Sequence, residues 1–256
     1  MRLPILDKPK GYTLYTGKSP FNDDNIAVIA ILHSDNSKTG DMIQVYIINT
    51  EINPIAASKN NRDNAVCGNC KHRGNNGKMR TCYVNLATGV SAVYNNFIRG
   101  KYPVLNEKHY FYTFRNRFVR FGAYGEPTLI PIDIVASISS HCLNWTGYTH
   151  QWNTCNAKYQ RYLMASVDNR KEYVKAHSMG WRTFRIRKSN DKIYQREFIC
   201  PASVEGGNRL QCFNCNACNG TKDGKLTSNH GSVTIIAHGK VGEKRFGELQ
   251  KLTSVR

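Results

Sequence analysis

Seven of the nine cysteines in this 256-residue chain fall into two groups whose spacing suits metal binding. The first group comprises Cys67, Cys70 and Cys82, and the second comprises Cys200, Cys212, Cys215 and Cys218. A Cys-x-x-Cys turn points two thiolates at one ion, and a distant Cys or His completes the tetrahedron. The second group supplies four thiolates, with His230 and His238 as further candidates, whereas the first group supplies three, with His72 as a candidate fourth ligand. Zinc is the expected ion, and an iron–sulfur cluster, which also takes four thiolates, is the alternative.

Three further side chains stand where strands are expected to end, which is where parallel α/β folds place catalytic groups. Glu126 follows the glycine-rich segment 120–125, and Asp168 follows the apolar run 163–167. His150 precedes Gln151-Trp152, so it is a candidate for orienting or stacking on a base. Glu126 and Asp168 each have a structural alternative, because a carboxylate before a helix often caps it.

A strand with alternating arginines is the candidate contact for a nucleic-acid backbone. Arg182, Arg185 and Arg187 lie among Thr183, Phe184 and Ile186, and the last two arginines share a face. Their spacing suits phosphate contacts, although a solvated edge strand has the same pattern. Aromatic residues between the basic residues of segment 97–121 suit stacking on an unpaired strand, and core packing is the alternative.

The elements that position these residues alternate between strands and helices. Two apolar runs, 26–32 and 42–48, predict a hairpin, and 83–99 predicts a helix. Further strands are expected over 118–122, 148–152, 162–167, 182–187, 197–200 and 232–237, with helices over 132–142 and 170–178. This order favours an α/β fold with a mostly parallel sheet, either a small or incomplete TIM-like barrel with Cys-rich metal-binding insertions or an open sheet. We expect one domain over 1–256, with a hairpin and Cys-rich segment over 20–100 and a barrel-like part over 110–240.

The charge balance points to a polyanionic partner. Thirty-six Lys and Arg against eighteen Asp and Glu give a net charge of +18, spread along the chain. Such a surface attracts nucleic acids and releases their counterions. No apolar run is long enough to span a membrane, and the N-terminal residues lack the pattern of a secretory signal. We therefore expect a cytoplasmic protein that binds a nucleic acid and no membrane, whose clustered cysteines bind metal rather than form disulfides.

Four segments together resemble one family of bacteriophage proteins. They are Ala65–Arg73, Arg120–Pro127, Thr146–Trp152 and Cys200–Ser203 with the cysteines that follow it. In these segments the chain resembles the phage deazaguanine DNA transglycosylases (DpdA-like proteins), distant relatives of the tRNA-guanine transglycosylases. The resemblance implies a barrel with zinc near its C-terminal part. It also implies an enzyme of the host-cell cytoplasm that exchanges guanine in DNA for a free 7-deazaguanine base, which would help a phage evade restriction.

By this resemblance Asp168 is the nucleophile, Glu126 the acid/base and His150 the residue that holds the base. The chain also departs from the tRNA enzymes. Their zinc motif is Cys-x-Cys-x-x-Cys with a distant His, their Asp-Ser-Gly-Gly motif is absent here, and they have no counterpart of the first cysteine group. The alternative to an enzyme is a non-catalytic phage DNA-binding protein whose fold is stabilised by zinc. A metal-dependent nuclease is disfavoured, because no dense constellation of Asp, Glu and His is present.

Overall fold

The computed structural model describes residues 9–74, 80–221, 231–237 and 242–254. The strands are β1 (Gly11–Lys18), β2 (Asn25–Ile31), β3 (Ile43–Asn49), β4 (Phe118–Tyr124), β5 (Asn144–Thr149), β6 (Met164–Val167), β7 (Thr183–Arg187), β8 (Glu197–Ile199) and β9 (Ser232–Ile236). The α-helices are α1 (Pro54–Lys59), α2 (Asn64–Cys67), α3 (Ser91–Ile98), α4 (Tyr110–Phe114), α5 (Ile132–His141), α6 (Arg170–Ser178), α7 (Cys212–Cys215) and α8 (Gly242–Ser254). No helix in the described part of the chain is long and apolar enough to cross a membrane.

The nine strands form one sheet in the order β1-β2-β3-β4-β5-β6-β7-β9-β8. The pairs β1/β2 and β2/β3 are antiparallel, and every pair from β3 to β8 is parallel. Helices α5 and α6 connect parallel neighbours, as crossovers in such sheets must. The prediction of an α/β fold with a mostly parallel sheet is therefore confirmed.

Apolar strands buried on both faces form the centre of the sheet. Residues 26–30 of β2 are all at most 1% exposed, and β3 is almost as deeply buried. Strands covered on both faces have continuous rather than alternating apolar sequences. The hairpin predicted from the runs at 26–32 and 42–48 is confirmed by the antiparallel β2/β3 pair.

Several boundaries differ from the sequence prediction. The strand expected over 148–152 is β5, which begins four residues earlier at Asn144. The helix expected over 83–99 starts as a π-helical turn, Leu86–Val90, and continues as α3. Strand β1 and the helices α1, α2, α4, α7 and α8 were not predicted. The helix predicted over 170–178 has the expected bounds, and the side chain of Asn169 caps it by accepting from the backbone N–H of Glu172.

Candidate functional site

Glu126, His150 and Asp168 lie at the carboxyl ends of three neighbouring parallel strands. Glu126 comes two residues after β4, and His150 and Asp168 directly follow β5 and β6. Because β4, β5 and β6 are adjacent and parallel, the three residues lie along one edge of the sheet. This edge is where open and closed α/β sheets bind their ligands.

Glu126 is a buried carboxylate, only 3% exposed, that is held by donors on both oxygens. Its Oε1 accepts from the backbone N–H and the hydroxyl of Thr128, at 3.2 and 3.1 Å, and its Oε2 accepts from the backbone N–H of His150 at 3.0 Å. Burial nevertheless raises the pKa of Glu126 above its ordinary value, because these bonds only partly offset the lost hydration. Glu126 caps the short turn Pro127–Leu129, so the structural alternative is also realised.

The turn that positions Glu126 depends on Gly125. Gly125 has φ +84°, and a Cβ atom there would lie 2.8 Å from both Ile47 Cβ and the Ile47 carbonyl oxygen. The backbone N–H of Glu126 donates to the Val66 carbonyl at 2.7 Å, which ties the turn to α2. The loop between β3 and β4 and the end of β4 therefore meet at the site.

Asp168 has the opposite electrostatic environment. Its Oδ2 accepts from Lys71 Nζ at 2.7 Å and contacts His72 Nε2 at 2.9 Å, while its buried Oδ1 has no hydrogen-bond partner among the described residues. Burial by itself would raise the pKa of Asp168, but His72 and Lys71 outweigh it and hold that pKa below the ordinary range. Asp168 is not the cap of α6, because Asn169 has that role.

The imidazole rings of His72 and His150 lie beside each other at the site. The His72 and His150 ring centroids are 5.2 Å apart, and the other ring nitrogen of His72 lies 2.8 Å from the Thr81 hydroxyl. Burial, assisted by repulsion from His72, lowers the pKa of His150 to about 3, so this imidazole is neutral at physiological pH.

Helix α8 covers this part of the site. The Phe246 ring stacks on His72 with centroids 6.2 Å apart, and Gln250 Nε2 donates to the backbone carbonyl of Asp168 at 2.8 Å. These contacts, and those of Lys71 and His72, were not predicted. The only signal in the sequence was the basic run directly after Cys70.

The first cysteine group lines a cavity of about 120 Å³ together with Glu126 and His150. The backbone N–H of Cys70 donates to the Cys67 carbonyl, and the N–H of Cys82 donates to the His72 carbonyl, so one loop presents all three thiols. Burial, followed by repulsion from the neighbouring thiols of the same group, raises the pKa of the Cys67 and Cys70 thiols. His72 was a candidate fourth ligand, but both of its ring nitrogens already have partners.

The second cysteine group lines an adjoining cavity of about 280 Å³. Its members, Cys200, Cys212, Cys215 and Cys218, share that cavity with the cations Lys38 and Arg120, and none of the described Asp or Glu side chains lines it. A tetrathiolate zinc centre carries two negative charges, so this donor set and its two nearby cations fit such a centre chemically. Burial raises the pKa of Cys218 to about 12, which leaves the thiol neutral unless a metal displaces the proton.

Metal binding itself stays a prediction. Within the described ranges, no three Cys, His, Asp or Glu side chains are grouped closely enough to hold an ion. His230 and His238 lie outside the described residues. Outside the two groups, burial raises the pKa of the Cys155 thiol to about 12.

The three arginines of the β7 region point into the protein, where internal partners bind them. Arg182 donates to the carbonyls of residues 217, 220 and 231, Arg185 to Glu197, and Arg187 to Glu205. All three are at most 7% exposed. A phosphate would reach them only after these bonds break, so their role in binding nucleic acid stays a prediction that the described arrangement does not favour.

The chain was compared with protein-family models, curated proteins and solved structures, and none of the three comparisons gave a match.

Proposed function

We propose that this protein is an enzyme that exchanges guanine in DNA for a free 7-deazaguanine base. The observation that carries the proposal is the pair of buried carboxylates at one sheet edge, Glu126 with a raised pKa and Asp168 with a lowered one. Enzymes that need an acid and an ionised carboxylate in the same site separate the two pKa values in this way. A barrel-like curvature of strands β3 to β9 around the site is part of the proposal.

In the proposed reaction, the two carboxylates have different tasks. Asp168 Oδ1, which has no partner among the described residues, attacks the anomeric carbon of the target deoxyguanosine while Oδ2 stays bound to Lys71 and His72. The bond from sugar to base breaks, Glu126 gives its proton to the departing guanine, and a covalent glycosyl-enzyme forms. Glu126 then takes a proton from the incoming base as that base displaces Asp168, which restores both groups.

Binding of the base is assigned to the residues around the cavity next to Glu126. The neutral His150 ring offers one donor and one acceptor to a base edge. The target nucleotide has to leave the DNA stack to arrive there. The net charge of +18 supplies the attraction for the DNA backbone. Zinc or an iron–sulfur cluster at the cysteine groups would hold the loops together in this scheme, and no step passes through it.

Mass spectrometry of nucleosides tests the proposal. DNA is taken from cells that express the protein and are supplied with a deazaguanine base, and wild type is compared with Asp168→Asn, Glu126→Gln and Asp133→Asn. We expect the modified nucleoside with wild type and with Asp133→Asn, an exposed carboxylate of α5. Asp168→Asn should give none, because the amide lacks the nucleophilic oxygen, and Glu126→Gln should slow exchange by about a hundredfold to ten-thousandfold.

Two outcomes would contradict the proposal. Full incorporation by Asp168→Asn would remove the assigned nucleophile. No modified nucleoside with wild type, together with retained DNA affinity, would favour the non-catalytic DNA-binding protein.

A further inference from the structure

The aromatic residues in the segment before β4 fall into two sets that differ in burial. Tyr102, Tyr110 and Phe114 are in the hydrophobic core and are at most 9% exposed. Phe111 and Tyr112, which lie on the same short helix α4, are 45% and 73% exposed. Core packing therefore explains the first three aromatic residues but not the last two.

Phe111 and Tyr112 belong to an exposed cluster, here called the aromatic patch, that also contains Arg115 and His141. The Phe111 and Tyr112 rings are nearly perpendicular with centroids 5.4 Å apart, and the His141 ring of α5 has the same relation to Phe111 at 5.8 Å. The guanidinium carbon of Arg115 lies 5.3 Å from the centroid of the Phe111 ring. These contacts restrain the side chains, so less side-chain entropy is lost when a planar ligand stacks on the patch.

The chain around the aromatic patch is positively charged. Residues 101–117 contain four Lys and Arg and a single acidic residue, Glu107. Arg117 is used in an ion pair, but none of the ion pairs among the described residues involves Lys108 or Arg115. Two cations close in sequence to exposed aromatic rings fit a partner that is both anionic and planar, and an unpaired nucleic-acid strand has both properties.

The aromatic patch lies away from the candidate functional site. α4 ends at Phe114, shortly before β4 begins, and α5 ends at His141, shortly before β5 begins. Because β4 and β5 are parallel, both helix ends are near the amino ends of these strands, whereas Glu126 and His150 follow the carboxyl ends. The seven residues of β4 span about 23 Å, so the patch is a separate surface that can be altered without touching the site.

We propose that the aromatic patch docks an unpaired DNA strand, with bases stacked on Phe111 and Tyr112 and phosphates bound by Arg115 and Lys108. All four of these side chains are exposed, whereas the arginines of the β7 region would have to break internal bonds to reach a phosphate. Aromatic rings stack on the face of any base, so the surface tolerates different sequences. Only the choice of DNA over RNA rests on the proposed function.

Fluorescence anisotropy with a labelled thymine homopolymer measures the affinity of the full chain. We expect Phe111→Ala and Tyr112→Ala each to weaken binding by roughly five- to a hundredfold, which is the usual effect of removing one base–aromatic stack. Tyr112→Leu should lose affinity as well, because leucine is apolar but offers no planar face. The matched control is Phe198→Ala, which removes a 38% exposed ring from β8 at the far end of the sheet and should bind as wild type does.

A double-stranded oligonucleotide separates stacking from charge. Paired bases are already stacked on one another, so Tyr112→Ala should bind the duplex with the affinity of wild type. Arg115→Gln tests the phosphate contact on the single strand. We expect the slope of log affinity against log salt to become less steep by about 0.7, because one phosphate contact is lost.

Three results would overturn the proposal. Wild-type affinity of Tyr112→Ala or Tyr112→Leu for the single strand would show that no base stacks on this ring. Tighter binding of a uridine homopolymer than of the thymine homopolymer would identify RNA as the partner instead. A wild-type dimer that Tyr112→Ala converts to a monomer, with DNA affinity unchanged, would show that the patch joins two copies of the chain.

The docking surface and the proposed base exchange can fail independently. No modified nucleoside with wild type, together with weakened binding by Tyr112→Ala, would refute base exchange and support the docking surface. Base exchange by wild type, together with unchanged affinity of Tyr112→Ala, would refute the docking surface alone. Should Phe111→Ala fail to fold, the Tyr112 variants decide, because that ring is the more exposed of the two.

Discussion

The ion pair between Arg185 and Glu197 allows a quantitative test of how the fold is held together. Two hydrogen bonds of 2.7 Å join the guanidinium to the carboxylate, and the two side chains are 1% and 0% exposed. The Tyr194 ring packs on the guanidinium with its centroid 3.9 Å away. Because both charges are out of water, each depends on the other for compensation.

The perturbation is Glu197→Gln, which keeps the volume and one acceptor but removes the negative charge. Removing one partner of a buried pair typically costs ~3–5 kcal/mol. We expect a loss in the free energy of unfolding of about 3 kcal/mol, at the lower end of that range, since glutamine still accepts one hydrogen bond. A domain has roughly 5–15 kcal/mol of stability in total, so the variant should still fold.

Urea unfolding followed by tryptophan fluorescence measures this loss. The matched control is Glu51→Gln, which removes the same charge from the solvent-exposed pair with Arg62. We expect the control to unfold at nearly the same urea concentration as wild type, because solvent-exposed ion pairs contribute little to the free energy of unfolding. Equal midpoints for Glu197→Gln and Glu51→Gln would refute the reasoning that burial makes the Arg185 pair essential.

Three further outcomes are expected. Gly125→Ala should unfold at clearly lower urea concentration than Gly100→Ala, because both glycines have positive φ but only the first would bring a Cβ against neighbouring atoms; similar midpoints would contradict this. DNA affinity in a filter-binding assay should fall steeply with salt, because the charge of +18 releases counterions on binding, and a flat response would remove the electrostatic argument. Cys215→Ser should lose about one metal equivalent by elemental analysis if the second cysteine group is a site, and an unchanged metal content would exclude that site.

Local patterns were enough to predict most of the sheet. A strand buried on both faces, such as β2, is a nearly continuous apolar run, so its sequence indicates it directly. β1 was missed because its sequence GYTLYTGK mixes polar and aromatic residues on an antiparallel strand at the sheet edge. β5 was placed too late because its Gly147 looks like a turn residue, whereas a Cβ there would lie 2.4 Å from a Leu163 methyl.

The site was predictable only in part, for a physical reason. Strand ends identified Glu126, His150 and Asp168, because topology alone places such residues at one edge. The partners of Asp168 were not accessible to this reasoning, since His72 lies 96 residues away in sequence and meets it only through the tertiary fold. The arginines of the β7 region show the same limit. Their alternation is visible in the sequence, but the carboxylates that pair with two of them are not.

The contacts of α8 make access to Asp168 depend on the equilibrium between docked and undocked states of this helix. A stacked ring and an amide from this helix lie against His72 and the Asp168 backbone, and the Asp168 side chain is 2% exposed. A molecule that approaches Asp168 from the side covered by α8 has to displace these contacts first. Its apparent affinity is then the intrinsic affinity reduced by the fraction of time the helix is undocked. Substitutions at Phe246 would therefore change how often the carboxylate is available without changing the carboxylate itself.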